Sequence, residues 1–464
     1  MSSEDPLNEA TRRRTFAIIS HPDAGKTTLT EKFLLYGGAL GTEAGSVKGK
    51  RGGRAATSDW MEMEQQRGIS ITSTVLQFPY RDHIVNLLDT PGHKDFSEDT
   101  YRVLAAADAA IMVLDGAKGI EPQTLKLFEV CRDREIPILS FINKWDRPSL
   151  QPFEILDDIE KQLSLTPTPL SWPVGSAEDF RGVLDQRSGD FVRFSRTARG
   201  ATIAPEEVVE PEQAIAEEGQ LYEDAVDELG ILEAVGAEYD EETFLAGVTT
   251  PVFFGSALTN FGVRLLLDAV VDLTPPPRAK TDTSGEERPL DAPFSGFVFK
   301  VQANMDKAHR DRTAFFRVCS GKFERGMVVT HEATGKPLAT KYAHTAFGTD
   351  AKRSTRRGQA TLLGWSTPTR SVSATRSGST TKSSIRLSPR SLPCISRSLE
   401  RRTRAASNSS ETASPSSTKK AWSRFFETKT SAIKPPFSPR LGRCSSKWLR
   451  TDSKTSSAHR SNYR

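Results

Sequence analysis

The chain has 464 residues, 36% of them hydrophobic, with 63 basic against 59 acidic side chains and a formal charge of +4. That length predicts about three domains, and no apolar run is long enough to span a bilayer. A polar Met1–Arg14 excludes a secretory signal, and four cysteines (Cys131, Cys319, Cys394, Cys444) without metal or disulfide spacing fit the reducing cytoplasm.

Thr15–Ser20 (TFAIIS) is a short β-branched and aromatic run that predicts a buried strand, followed by a loop and the helical pattern Leu29–Leu35. Further strands are predicted at Ile84–Leu88, Ala110–Leu114, Ile136–Ile142 and Val252–Phe254, with helical patterns between them. Strands alternating with helices specify an α/β domain with a parallel sheet over residues 1–280. An insertion at about 176–250 interrupts the alternation. It is acidic from Glu206 to Glu242, and Glu217–Glu233 predicts an amphipathic surface helix.

Thr274–Pro277 ends a helix, because proline lacks the amide donor and clashes with helical backbone. Polar residues run on to about Glu287 as a linker. From Phe294 short strands with glycine-containing turns (FSGFVFKVQA, TAFFRVCSG, MVVTH) predict the opening of a small β-barrel within 281–353. From Ser354 to Arg464 serine makes up about a quarter of the residues, and only Glu400, Glu411, Glu427 and Asp452 are acidic. No hydrophobic period survives there, so 354–464 reads as a disordered, low-complexity tail.

The chemistry is concentrated in four short strings. Ser20-His21-Pro22-Asp23-Ala24-Gly25-Lys26-Thr27-Thr28 lies between the first strand and the first helix, where a phosphate-binding loop belongs. Amides at a helix N-terminus present positive partial charge to the β- and γ-phosphates. Lys26 adds a full charge, and the Thr27 hydroxyl is placed to hold Mg²⁺. The first glycine of the usual pattern is here Ser20, and alone the string would pass for a strand–turn–helix with a chance Gly-Lys-Thr.

Asp89-Thr90-Pro91-Gly92-His93 follows the apolar run Ile84–Leu88, so Asp89 sits at a strand end facing the first loop. Its carboxylate can reach Mg²⁺ through water, and the Gly92 amide can sense a γ-phosphate. Asn143-Lys144-Trp145-Asp146 ends the next predicted strand but one. The Asp146 carboxylate can accept from guanine N1–H and the 2-amino group, a donor pair that adenine does not offer. Gly255-Ser256-Ala257 follows Val252–Phe254 and would bring a backbone amide to the guanine carbonyl. Each string is weak alone. All four in this order at strand C-terminal ends, where open α/β sheets bind ligands, predict GTP and GDP as the cofactors. A lone histidine after a turn is commonly structural, but His93 stands where other GTPases carry a water-orienting glutamine, which makes it the predicted catalytic residue.

These motifs resemble the translational GTPase family, which includes elongation factor G and the ribosomal protection proteins. The first-loop form is most similar to the release factor 3 branch. So are Gln77-Phe-Pro-Tyr80, Phe253-Phe-Gly-Ser-Ala-Leu258, Phe297-Val-Phe-Lys-Val-Gln-Ala-Asn-Met305 and His309-Arg-Asp-Arg312. Arg67-Gly-Ile-Ser-Ile71 resembles that family's first switch, where a hydroxyl residue, usually threonine and here Ser70, binds Mg²⁺ and the γ-phosphate. The resemblance covers about Arg13 to Gly348. It implies a monomeric, ribosome-stimulated GTPase that meets rRNA and ribosomal proteins and promotes dissociation of class-I peptide chain release factors. An elongation-factor-like or ribosomal protection GTPase, or a truncated nucleotide binder with little turnover, remain alternatives.

The tail departs from that family in an ordered way. If Ser354–Ala360 is encoded TCG ACG AGG CGT GGC CAG GCG, reading from the third base yields DEAWPG, and permitted codons continue through Ser377 as DIVGLVNPDALRVGDTL. The same offset permits LDEEGVVQV over Ser416–Phe425 and APILAAVGPMQFEV over Lys434–Trp448. Three separated segments agreeing on one offset identify an out-of-frame tail, whose arginines are then no evidence for nucleic-acid binding. Resequencing the gene should reveal an inserted or deleted base near Lys352–Ser354; codons that forbid these peptides would refute it.

Overall fold

A computed structural model describes residues 6–39, 73–90, 97–197, 202–236, 238–281, 285–303, 312–332, 334–340 and 343–345, and then the segments 352–353, 356–357, 362–367 and 384–387. A short helix α1 (Pro6–Thr11) leads into β1 (Arg13–Ser20) and α2 (Lys26–Tyr36). The antiparallel pair β2 (Thr74–Tyr80) and β3 (His83–Asp89) precedes α3 (Ser97–Leu104). Then come β4 (Ala109–Asp115), α4 (Pro122–Arg132), β5 (Ile138–Asn143), α5 (Pro152–Leu163) and β6 (Thr166–Pro169).

With β11 (Thr249–Phe254), these strands form one seven-stranded sheet in the order β2-β3-β1-β4-β5-β11-β6. Every neighbouring pair is parallel except β2 with β3. Strands β4 and β5 are buried along their whole length, as the continuous apolar runs of central parallel strands require when helices cover both faces. Alternation along β1 splits the core: Ala17 and Ile19 join the layer that includes Leu104 of α3, Leu127 of α4 and Ile155 of α5. Phe16 and Ile18 join the opposite layer with Phe33 of α2 and Val270 of α9 (Val263–Leu273). There Phe16 and Phe33 meet edge to face at 5.9 Å.

The predicted strands are all present. β5 starts at Ile138 rather than Ile136 because Pro137 has no amide to donate to the ladder. Edge strand β2 was not predicted; it carries Pro79, tolerable only where one side of the ladder is open.

The insertion carries its own antiparallel sheet, ordered β10-β9-β8-β7, from β7 (Ser171–Val174), β8 (Gly182–Asp185), β9 (Asp190–Phe194) and β10 (Glu206–Val209). Helices α6 (Pro211–Glu218), α7 (Gln220–Ala234) and α8 (Glu241–Leu245) follow. The single helix expected over Glu217–Glu233 is therefore two. Gly219, at φ 56° and ψ −127°, sits between them in a conformation that side-chain-bearing residues avoid. The amphipathic character stands, since α7 buries Tyr222, Ala225 and Leu232.

Past a two-stranded ribbon of β12 (Lys280–Thr281) and β13 (Glu287–Arg288), a second sheet stands where the pattern predicts a barrel. Its strands are β14 (Ser295–Ala303), β15 (Arg312–Ser320), β17 (Val328–His331), β18 (Lys336–Ala339), β19 (Ala343–Thr345), β20 (Lys352–Arg353), β22 (Leu362–Thr367) and β23 (Ser384–Leu387). β16 (Phe323–Glu324) pairs separately with β21 (Arg356–Arg357). Three strands thus fall inside 354–464; the rest of that expected tail lies outside the described residues.

Two buried cations tie this sheet to the first domain. Arg317 on β15 donates to both carboxylate oxygens of Asp108 at 2.7 Å and to the Ala106 carbonyl at 2.6 Å. Lys300 on β14 donates to the Ser73 carbonyl. A buried ion pair is tolerable only when geometry and extra hydrogen bonds offset its desolvation, and the two-pronged Arg317 contact supplies both. Cys131, fully buried in the first domain, has its thiol pushed up to about 12 by desolvation, so it packs and does not react. No described helix is long and apolar enough to cross a membrane.

Candidate nucleotide site

The four strings converge at one edge of the parallel sheet because each follows a strand that runs the same way. The register sets Ile18 of β1 opposite Asp89 of β3, so the first loop leaves the sheet beside that carboxylate. Between β1 and α2 the backbone turns through Asp23 at φ 66° and Gly25 at φ 100°. A Cβ on Gly25 would lie 2.1 Å from the Asn143 amide nitrogen, so only glycine fits. Lys26 opens α2, buried, and donates to Asp89 Oδ1. Thr27 and Thr28, partly buried, complete the first helical turn.

Asn143 holds the site together rather than facing outward from it. Its Nδ2 donates to the Ala24 carbonyl at 2.7 Å, while its Oδ1 accepts from the Ala257 amide at 2.8 Å. One buried side chain thus joins the first loop to the last. The expected backbone amide for the guanine carbonyl could come from any residue of Gly255–Ala257, and all three amides are engaged within the protein: Gly255 with the Ile142 carbonyl at 3.0 Å, Ser256 with Phe261, and Ala257 with Asn143. Ser256 closes its own loop, exchanging backbone bonds with Phe261 at 2.9 and 3.1 Å.

Lys144, at φ 66°, donates to Asp115 Oδ2 at 2.7 Å. Asp115 was missed by sequence reasoning, although an acid closing the apolar run of β4 was a visible signal. Burial pushes its carboxyl up, but the Lys144 ammonium and the Ala117 amide outweigh that and hold it below the usual carboxylate range. Trp145 is buried: its amide donates to the Gly255 carbonyl at 3.1 Å and its indole to the Gly175 carbonyl at 3.1 Å.

Several polar atoms at this edge are buried without a hydrogen-bond partner among the described residues, Asp146 Oδ1, Ser20 Oγ and His21 Nδ1 among them. Buried acceptors are nearly always satisfied, so an orphaned carboxylate oxygen beside the last loop fits a ligand that brings donors, as the guanine edge does. His21 of the predicted phosphate loop lies with Nε2 3.4 Å from Glu121 at the start of α4; Pro22 and Asp23 remain at the surface of the loop. Thr90 donates to the Ile18 carbonyl at 2.5 Å, a structural use of its hydroxyl. Ser70, Pro91, Gly92 and His93 lie outside the described residues.

Residues 11–276 match the model of the elongation factor Tu GTP binding domain, and residues 293–361 match elongation factor G domain 2. The chain is 58% identical over 342 residues to peptide chain release factor 3 of Synechococcus elongatus, covering 73% of this chain and 61% of that protein. Against the protein of the same name from Rippkaea orientalis it is 51% identical over 402 residues, covering 85% and 74%. The chain spans 61–63% of the length of the first three such relatives. A crystal structure of a protein from Thermus thermophilus superposes with a TM-score of 0.59 at 24% identity, covering 77% of this chain and 52% of that one, a likeness of fold.

Proposed function

We infer function from one premise: the chain belongs to the elongation factor Tu GTP-binding-domain family. From it we propose a GTP-binding factor of translation termination. It hydrolyses GTP when the ribosome, through rRNA and ribosomal proteins, stimulates it, and it thereby promotes release of class-I release factors, acting as a cytoplasmic monomer. The observation that carries the nucleotide half is the unpartnered Oδ1 of Asp146 beside the loop that Asn143 ties to the phosphate loop. The termination half rests on the release factor 3 relatives.

In this reading Lys26 leaves Asp89 to meet the β- and γ-phosphates, and the α2 N-terminus supplies further positive charge. Asp89 and the Thr27 and Ser70 hydroxyls would be the residues that hold Mg²⁺. Mg²⁺ supplies neutralisation of charge on the phosphates when bound. Gly92 senses the γ-phosphate, and His93 orients the attacking water. A second reading is a nucleotide binder with little turnover, which ribosome stimulation separates from the first.

The test is ordered. Purified chain should bind GTP and discriminate against ATP by orders of magnitude; equal affinity would end the nucleotide reading. Ribosomes should then accelerate hydrolysis, and terminated ribosomes carrying a class-I factor should release it faster. Binding without ribosome-stimulated turnover would leave the second reading in its place.

A further inference from the structure

The loop that carries Asp146 is built onto the insertion as much as onto the GTP-binding sheet. Trp145, its immediate neighbour, is pinned at three points. Its amide donates to Gly255, its carbonyl accepts from the Ala177 amide at 2.9 Å, and its indole donates to the Gly175 carbonyl. Two of these three partners, Gly175 and Ala177, lie between β7 and β8. Behind Trp145 runs an aromatic stack. Trp145 meets Phe254 edge to face at 4.9 Å, and Phe254 meets Trp172 of β7 at 5.4 Å. Trp172 is fully buried, and its indole N–H donates to Glu228 of α7 at 2.8 Å. Contiguous packing thus leads from the half-buried acidic face of α7 to the residue beside the guanine-reading carboxylate.

The other base-facing loop is held from the same side. Phe261 stacks on Phe194 of β9 at 4.9 Å with ring planes 24° apart. Asn260 donates to the Thr202 carbonyl at 2.6 Å, and Arg264 on α9 pairs with Glu206 of β10. Nothing in phosphate chemistry calls for these contacts, since all lie on the insertion's side of the base loops. Their shared effect is to make the conformation of both base-reading loops depend on the insertion.

We propose that Trp172 and Glu228 are positioning residues for guanine recognition: acting through Phe254 and Trp145, they hold the Asp146 carboxylate in place and make nucleotide release depend on the seating of α7. This rests on the guanine-nucleotide reading above. Loss of the Trp172–Glu228 bond would leave the indole N–H buried and unpaired and loosen the stack. Asp146 would then accept less well from the guanine 2-amino group, so release would quicken and base discrimination would fall together. Simple loss of stability would instead reduce the folded fraction and leave discrimination within that fraction unchanged.

The experiment uses the full chain and two readouts: the dissociation rate of a fluorescent GDP analogue, and the ratio of GDP to IDP affinity, IDP lacking the 2-amino group. Trp172→Phe and Glu228→Ala should each speed release about threefold to tenfold and lower the ratio by a similar factor, the range expected for a contact that couples two sites. Glu228→Gln, which keeps a carbonyl acceptor for the indole, should restore both values to within about twofold of the unmodified chain. Release rates and ratios unchanged in Trp172→Phe and Glu228→Ala overturn the proposal, as does faster release with an unchanged ratio. If Trp172→Phe does not fold, as judged by circular dichroism, the half-buried Glu228 variants decide. An unmodified chain that does not prefer GDP to ADP would instead overturn the nucleotide reading itself.

Discussion

Replacing His93 with alanine is expected to leave GDP and GTP affinity nearly unchanged while ribosome-stimulated hydrolysis falls by at least about 100-fold, the cost of misplacing a reacting group by about an ångström. β3 ends at Asp89, whose neighbours are the buried Lys26 and the phosphate loop, and His93 follows four residues later. In the proposed reading a side chain there orients the attacking water and has no part in gripping the nucleotide. The loss should therefore appear in kcat with KM little altered, the signature of an interaction made only in the transition state. Single-turnover hydrolysis on saturating ribosomes is the measurement. An unchanged rate would reduce His93 to a structural role.

Asp146→Asn should weaken GDP by at least about 100-fold, because two charge-assisted hydrogen bonds, each worth roughly 1.5–3 kcal/mol, are lost or weakened together. In the proposed reading the carboxylate accepts from both N1–H and the 2-amino group; its Oδ1 is buried with no partner among the described residues. The amide keeps one acceptor but turns a donor toward the 2-amino group. Xanthosine nucleotides carry an oxygen at that position, so the same variant should gain affinity for XDP while it loses GDP. Parallel equilibrium titrations with both nucleotides settle it. Weakened GDP binding without improved XDP binding would point to a collapsed loop and not to a changed hydrogen-bond pattern.

Much of this site was legible in the sequence because its chemistry is local. A phosphate loop needs consecutive residues that turn sharply and then open a helix, and Ser20–Thr28 contains them in order. The strands were legible for a related reason: central parallel strands bury both faces, so runs such as AAIMVLD and ILSFIN stand out from their surroundings. The edge strand β2 and the helix break at Gly219 were local too, yet they gave weak signals. One lacks continuous burial, and the other depends on a single backbone angle within an otherwise helical composition.

By itself, then, the sequence pointed to the class of ligand, and it determined the strand ends at which the motif strings meet and the order of the loops, because hydrogen-bond chemistry and apolar periodicity are properties of neighbouring residues. Only the tertiary structure decided what supports those loops. Asn143 ties residues 119 and 114 positions away, and Arg317 reaches an aspartate 209 positions back. Trp145 reads as one more residue of a guanine motif until the fold sets it against Gly175 and Phe254. Such partners are chosen by chain crossings, and no spacing along the sequence encodes which buried donor meets which acceptor once the sheet has closed around them.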